Sequence, residues 1–259
     1  MSSIEYISPS IQQIKQGTKW HSERLGEEIS LVRYGYMGTP LLLYPTAGGD
    51  AEEPERFFLI KVLEPFIQEG RLKVYCVDSV NGRTWLTEKR VAHAVWIQKQ
   101  FDACIRHEVV PAIRSDCRSD DIEIMTTGAS IGAFNALLSI CRHPDVFSRA
   151  LCLSGTYDLK KWLNGEWYDD FHHHSPLHFM PTLPEGPQLE KLRTRNVIIA
   201  TGKGKNEDPT ESWKVAHALG SRGVPNRVDL WDEGWPHDWV TWREMAPKYV
   251  QEMLASLNA

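Results

Sequence analysis

The sequence predicts an α/β fold with a mostly parallel central sheet and helices on both faces. Two observations predict it. Short apolar runs bounded by turn residues alternate with longer helical patterns along almost the whole chain. Those runs are rich in Val, Ile and Leu, as strands buried on both faces must be. Repeated strand–helix–strand units of this kind pair their strands in parallel. The chain has 259 residues, 42% of them hydrophobic, enough for one large core.

The elements follow in order. "EEISLVRYG" and "TPLLLYP" read as strands, and "PERFFLIKVLEPFIQEG" as an amphipathic helix stopped at Gly70. "LKVYCVDS" is a strand. "EKRVAHAVWIQKQFDACIRHEVVPAI" is a long helix disturbed near Pro111, which lacks an N–H. "DIEIMTTG" is a strand, and "SIGAFNALLSICRH" a helix ended by Pro144. "RALCLSG" and "NVIIATG" are strands. "PTESWKVAHALGSRG" is a helix with Pro209 in its first turn and Gly223 past its end. "RVDLWDEG" is a strand, and "DWVTWREMAPKYVQEMLASL" closes the chain as a helix. Residues 156–195 break this rhythm. They are rich in Trp, Tyr, His and Pro and read as a loop-rich insertion within a single domain spanning 1–259.

Composition excludes some functions. The net charge is −5 and no basic tract stands out, so no nucleic-acid partner is expected. The five cysteines form no C-x-x-C pair and fit a reduced, cytoplasmic protein. The start, "MSSIEYISPSIQQIKQG", lacks the basic and apolar segments of a signal peptide, and no apolar run is long enough to span a membrane. Oligomeric state is not encoded visibly, and a homo-oligomer stays open.

"IMTTGASIGAFNA" holds the strongest chemical signal. A strand that turns at once into a helix needs a sharp apex, with small residues two positions to either side. Gly128 and Gly132 flank Ser130 in that way, which is the G-x-S-x-G nucleophile elbow in its strand–turn–helix context. The rival reading is a helix start with Ser130 as an ordinary N-cap. The N–H of Ile131 stands at the positive end of the helix dipole and suits an oxyanion. A second donor is expected from "LLLYPTAGGD", at Ala47 or alternatively Gly48; the plainer reading there is a Gly-Gly turn.

A serine needs a base, and the base needs an acid, in the chain order Ser, Asp or Glu, His. His237 in "DEGWPHDWVTW" follows the last strand and is the candidate base. The acid falls in "KGKNEDP": Asp208, which precedes Pro209 and so stands extended at a helix N-cap, or alternatively Glu207. Asp158 is a second-tier candidate. Trp85 and Tyr157 are candidate walls for a substrate, against the plainer reading of buried packing. His172, His173 and His174 cannot all face one ion easily, so no metal is expected, and the mechanism needs no cofactor.

These stretches, together with "VYCVDSVNGRTW", "SPLHFMPTL" and "GWPHDWVTWREMAPKYV", resemble the putative-esterase branch of the α/β-hydrolase superfamily. That branch holds esterase D-like, feruloyl and acetyl-xylan esterase-like and mycolyltransferase-like proteins. The resemblance implies an α/β-hydrolase fold, Ser130 as nucleophile, His237 as base, and Ile131 and Ala47 as oxyanion donors. Where relatives often carry His-Gly before the hole, this chain has Pro45-Thr46. The implied activity is hydrolysis of a small-molecule carboxylic ester. Acyl transfer on the same triad, or a non-catalytic binding protein of the same fold, are the alternatives.

Overall fold

The computed structural model describes residues 10–257. Residues 1–9, on which the expectation about the leader partly rests, lie outside the described residues. The strands are β1 (Lys15–Ser22), β2 (Glu27–Tyr34), β3 (Thr39–Tyr44), β4 (Leu72–Val77), β5 (Ile124–Ala129), β6 (Phe147–Leu153), β7 (Asn196–Thr201) and β8 (Asn226–Leu230). They form one sheet in the order β1-β2-β4-β3-β5-β6-β7-β8. β1/β2 and β2/β4 pair antiparallel, and every later pair is parallel. The α/β-hydrolase fold expected from the sequence is therefore present.

Side-chain alternation divides the core into two layers. Leu42 and Tyr44 of β3 join one cluster, with Phe101, Phe134 and Val215 from the helices Val91–Cys104, Ile131–Arg142 and Pro209–Gly220. Leu41 and Leu43 point the other way, to Leu63, Trp242 and Tyr249 on the helices Leu59–Gln68 and Trp239–Ala255. β4 and β5 are buried along their whole length, which explains their unbroken apolar runs.

Three local differences from the sequence reading have physical causes. β1 was not expected, because it is an exposed edge strand whose "KQGTKW" start carries no apolar alternation. Its register against β2 runs from Lys15↔Tyr34 to Ser22↔Glu27, with Trp20 and Ser22 tied to Glu108. The helix expected over 54–70 is two pieces, Glu53–Arg56 and Leu59–Gln68, because Phe58 takes a left-handed φ of 60°. The helix Val80–Thr87 has no apolar periodicity; tertiary bonds hold it, with Asn81 Nδ2 donating to Gln98 Oε1 (2.8 Å) and Asn135 Oδ1 (2.6 Å). The disturbance expected near Pro111 is a π-helical turn at Ile105–Val109, just ahead of that proline, closed by Val110 N–H donating to Ile105 O. Among the described residues, no helix is long and apolar enough to cross a membrane.

The parallel strands β3 to β8 end on one edge of the sheet, and their following loops gather there. At that edge the helix Ile131–Arg142 begins almost in contact with β3 and β5. A Cβ on Gly128 would lie 2.4 Å from the Gly132 carbonyl carbon and oxygen. A Cβ on Gly132 would lie 2.5 Å from Tyr44 O and 2.6 Å from Pro45 O. Neither contact can relax by moving a side chain, since the partners are backbone.

Gly132→Ala should therefore destabilise the fold by at least the ~1–3 kcal/mol typical of overpacking. Gly17→Ala on β1, where an added Cβ meets nothing within 4 Å, should stay within about 0.5 kcal/mol of wild type. Urea unfolding of the two variants side by side checks this; equal stabilities would refute the close-packing account.

Candidate active site

β5 ends at Ala129, and the helix starts at Ile131. Ser130 is left to make the whole turn, and it does so at φ 57°, ψ −122°. A non-glycine residue pays for that conformation in strain, of order 1–3 kcal/mol. Ser130 makes no side-chain capping bond to the helix. An N-cap serine would be extended and would bond an amide of the first turn, so the ordinary-cap reading fails on both counts. Its backbone is fixed instead: Ser130 N–H donates to Leu153 O at 3.0 Å, and Ser130 O accepts Thr156 N–H at 3.1 Å. The backbone of Ser130 is thus tied to the end of β6 and to Thr156 as well as to Ala133 N–H of its own helix.

Ile131 opens the helix, so its N–H has no intrahelical acceptor. Ala47 lies in the turn after β3, with Gly48 at φ 79° and Gly49 N–H closing the turn on Thr46 O at 3.0 Å. Gly82 shows how near the two come. A Cβ built there would lie 3.1 Å from Ile131 Cγ2 and 3.3 Å from Ala47 Cα. Among the described residues, no acceptor takes the N–H of Ala47 or Gly48.

The carboxylate at His237 belongs to Glu207. His237 Nδ1 is 3.3 Å from Glu207 Oε2, and the Glu207 side chain is only 1% exposed. Ser154 Oγ donates to Glu207 Oε1 at 2.5 Å, Thr201 Oγ1 to Oε2 at 3.2 Å, and Gly202 N–H to Oε1 at 3.3 Å. Burial opposes the charge on Glu207, but the bonds from His237, Ser154 and Gly202 outweigh it and hold the carboxyl below its usual range. The two loops are laced by backbone bonds. Lys203 N–H donates to Asp232 O, Gly204 N–H to Trp235 O, and His237 N–H to Lys205 O. Gly202 and Gly204 permit this, since a Cβ at either would strike the Trp235 backbone, at 2.1 Å and 2.6 Å.

Asp208, the preferred acid from sequence, is not the carboxylate beside His237. It is exposed and caps the helix Pro209–Gly220, accepting Thr210 N–H at 3.0 Å and Thr210 Oγ1 at 2.5 Å. The capping geometry that recommended it consumes its carboxylate. Asp158 likewise caps a short 3-10 turn through Lys160 N–H and pairs with Lys214 at 3.6 Å. Trp85 and Tyr157, expected as substrate walls, are core residues, 5% and 1% exposed. The Trp85 indole stacks on Trp162 and donates to Gln98 Oε1 at 3.1 Å. Among the described residues, no hydrogen bond joins Ser130 Oγ to His237. Such bonds are often long before substrate arrives.

Of the histidine run, His174 serves the scaffold, while His173 is exposed. His174 is buried, with Nδ1 2.7 Å from Asp170 O and Nε2 3.7 Å from the buried Asp102, which His143 Nε2 also meets at 3.0 Å. Among the described residues, no group of three His, Cys, Asp or Glu side chains is placed to hold a metal. Ser154 and Thr201, which complete the shell around Glu207, were missed. The only signal for Ser154 was its place directly after a buried strand.

The structure thus brings a serine at a strained strand–helix turn and a buried Glu207–His237 pair to one edge of the sheet. The chain belongs to the Putative esterase family, whose pattern it matches over residues 85–250, more than half its length. No curated protein matches the chain in sequence. Among solved structures it is similar to a ferulic acid esterase, at 15% identity and a TM-score of 0.68, over 90% of this chain and 94% of that one. It is similar to an S-formylglutathione hydrolase from Agrobacterium tumefaciens, at 14% identity and a TM-score of 0.68, over 93% and 94%. It is also similar to the fluorophosphonate-binding serine hydrolase F of Staphylococcus aureus, at 16% identity and a TM-score of 0.66, over 93% and 98%. At these identities the structural likeness carries the fold, and the family match carries esterase-type hydrolysis in general.

The depressed ionisation of Glu207 has a stability consequence. An unfolded glutamate ionises near pH 4.3, so Glu207 contributes its full stabilisation above that pH and loses it as pH falls through the lower folded value. The stability gap between wild type and Glu207→Gln should be widest above about pH 4.5 and narrow below it. Denaturant midpoints of both proteins across that range test this. A gap that widens on acidification would contradict it.

Proposed function

We propose that this protein is a serine esterase that cleaves a small-molecule carboxylic ester through an acyl-enzyme. One observation carries the reading: Ser130 bears the strained elbow geometry without spending its hydroxyl on the helix. It does so on the sheet edge where Glu207 holds His237.

Ser130 Oγ attacks the ester carbonyl carbon, and His237 Nε2 takes the hydroxyl proton. The electron pair of the carbonyl moves to its oxygen, where the N–H groups of Ile131 and Ala47 receive the charge. Collapse of this intermediate breaks the bond to the alkoxide, which leaves with the proton from His237. Water then attacks the acyl-serine and gives its proton to the same imidazole. The second collapse releases the acid, and Ser130 recovers its proton. Glu207 accepts from Nδ1–H throughout, fixing the tautomer and favouring the imidazolium that forms twice per turnover. Five unpaired cysteines, four of them buried, support a reducing compartment such as the cytoplasm for this activity.

Kinetics of p-nitrophenyl acetate hydrolysis test the assignment. Ser130→Ala should abolish turnover. Glu207→Gln should lower kcat on the order of 10⁴, as amide replacement of a triad acid does. Asp208→Asn should remain within a few-fold of wild type, since asparagine caps a helix as well as aspartate. The reverse order of the two amide variants would move the role to Asp208.

A further inference from the structure

Glu53 is a buried acid that touches neither Ser130 nor His237, yet both its oxygens serve the loop after β3. Oε2 accepts the Thr46 N–H at 2.7 Å, and Oε1 accepts Thr46 Oγ1 at 2.8 Å. One carboxylate therefore grips Thr46 by its backbone and its side chain and fixes the Pro45–Thr46 peptide plane, while Gly49 N–H on Thr46 O at 3.0 Å closes the next plane, the one that carries the Ala47 N–H. The turn is shaped to admit it. A Cβ on Gly49 would lie 2.3 Å from Glu53 Oε2, so only glycine lets the carboxylate rise beneath the turn. The far end of the loop is tied separately: Gly49 O accepts Ser79 N–H at 3.0 Å, and Asp78 Oδ1 accepts Ala51 N–H at 2.9 Å. At the near end Glu53 holds Thr46 from one side and the Gly49 N–H holds its carbonyl from the other, so Glu53 anchors the residue from which the Ala47 peptide projects.

A buried carboxylate is costly to keep, and a short helix start does not need one. Burial pushes the Glu53 carboxyl up from its usual range and Asp50 adds to this, against the Thr46 bonds and the attraction of Arg56. A group retained at such cost is explained if the orientation it enforces matters.

On the serine-esterase reading above, we propose that Glu53 is a positioning residue for the oxyanion hole, clamping Thr46 so that the Ala47 N–H stays aimed at the substrate carbonyl oxygen. Preorganised donors act because they need no reorientation as charge develops. Loosening the clamp therefore costs transition-state stabilisation while leaving ground-state binding in place.

The test uses Glu53→Gln, Thr46→Val and Thr46→Ser in the full chain, with p-nitrophenyl acetate as substrate. Active sites are counted by labelling Ser130 with a fluorophosphonate, so that rates refer to folded enzyme. Glu53→Gln and Thr46→Val should each lower kcat on the order of 10-fold to 10²-fold, with KM within a few-fold, short of the 10²–10³ for full loss of a donor. Thr46→Ser, which keeps the hydroxyl, should restore kcat. The double variant should lose little more than either single change, because the two act as one unit. Unchanged kcat per labelled site, or a rise in KM alone, overturns the proposal and leaves the esterase reading standing. A wild type that neither hydrolyses the ester nor takes the label overturns both.

Discussion

The close backbone approach between the nucleophile helix and the end of β3 is the constraint on which the site depends. Gly132 lies directly against the carbonyls of Tyr44 and Pro45, and Gly128 against the first turn of the helix. No side chain fits in either contact. Because the helix start and the strand end are pressed together, the loop that follows β3 has to pass over Ile131. That passage brings Ala47 near Ile131, with Gly82 completing the junction. The strain at Ser130 is held by the same packing, through bonds from its backbone to β6 and to Thr156. The Ser130 turn and the approach of Ala47 to Ile131 are thus two results of one packing arrangement.

The Glu207–His237 pair is built by a different device. Neither Glu207 nor His237 lies on a regular element, and each would be mobile on an isolated loop. Backbone bonds between residues 203–205 and 232–237 make the two loops one unit, with Gly202 and Gly204 allowing the contact. Ser154, from the end of β6, then ties Glu207 to the strand beside the elbow. The pair is positioned from β6, β7 and β8 together, which is why no single loop sequence announces it.

What was legible in the sequence follows from this division. The parallel strands are buried on both faces, so their apolar runs report them directly. The elbow is local, and its glycine spacing is a steric requirement that appears in the chain as such. β1 and the helix Val80–Thr87 were not legible, because the first is held by pairing at an exposed edge and the second by bonds from Asn81 to distant partners. The choice between Glu207 and Asp208 turned on reach across the fold. Local rules correctly placed Asp208 at a helix N-cap but could not see that capping would occupy it, nor that the longer Glu207 folds back beneath Ser154. Aromatic residues were equally ambiguous: Trp85 and Tyr157 have the composition of a binding wall and the burial of a core.

The central claim is that Ser130 carries the acyl group during turnover. Glu207→Gln enzyme mixed with p-nitrophenyl acetate, quenched in acid and digested, allows the covalent intermediate to be located by peptide mass spectrometry. The account predicts one acetyl group on the peptide containing Ser130, absent from the same preparation carrying Ser130→Ala. Acetylation confined to another side chain, or continued turnover with no acyl-serine under conditions that trap one in a known serine esterase, would contradict it.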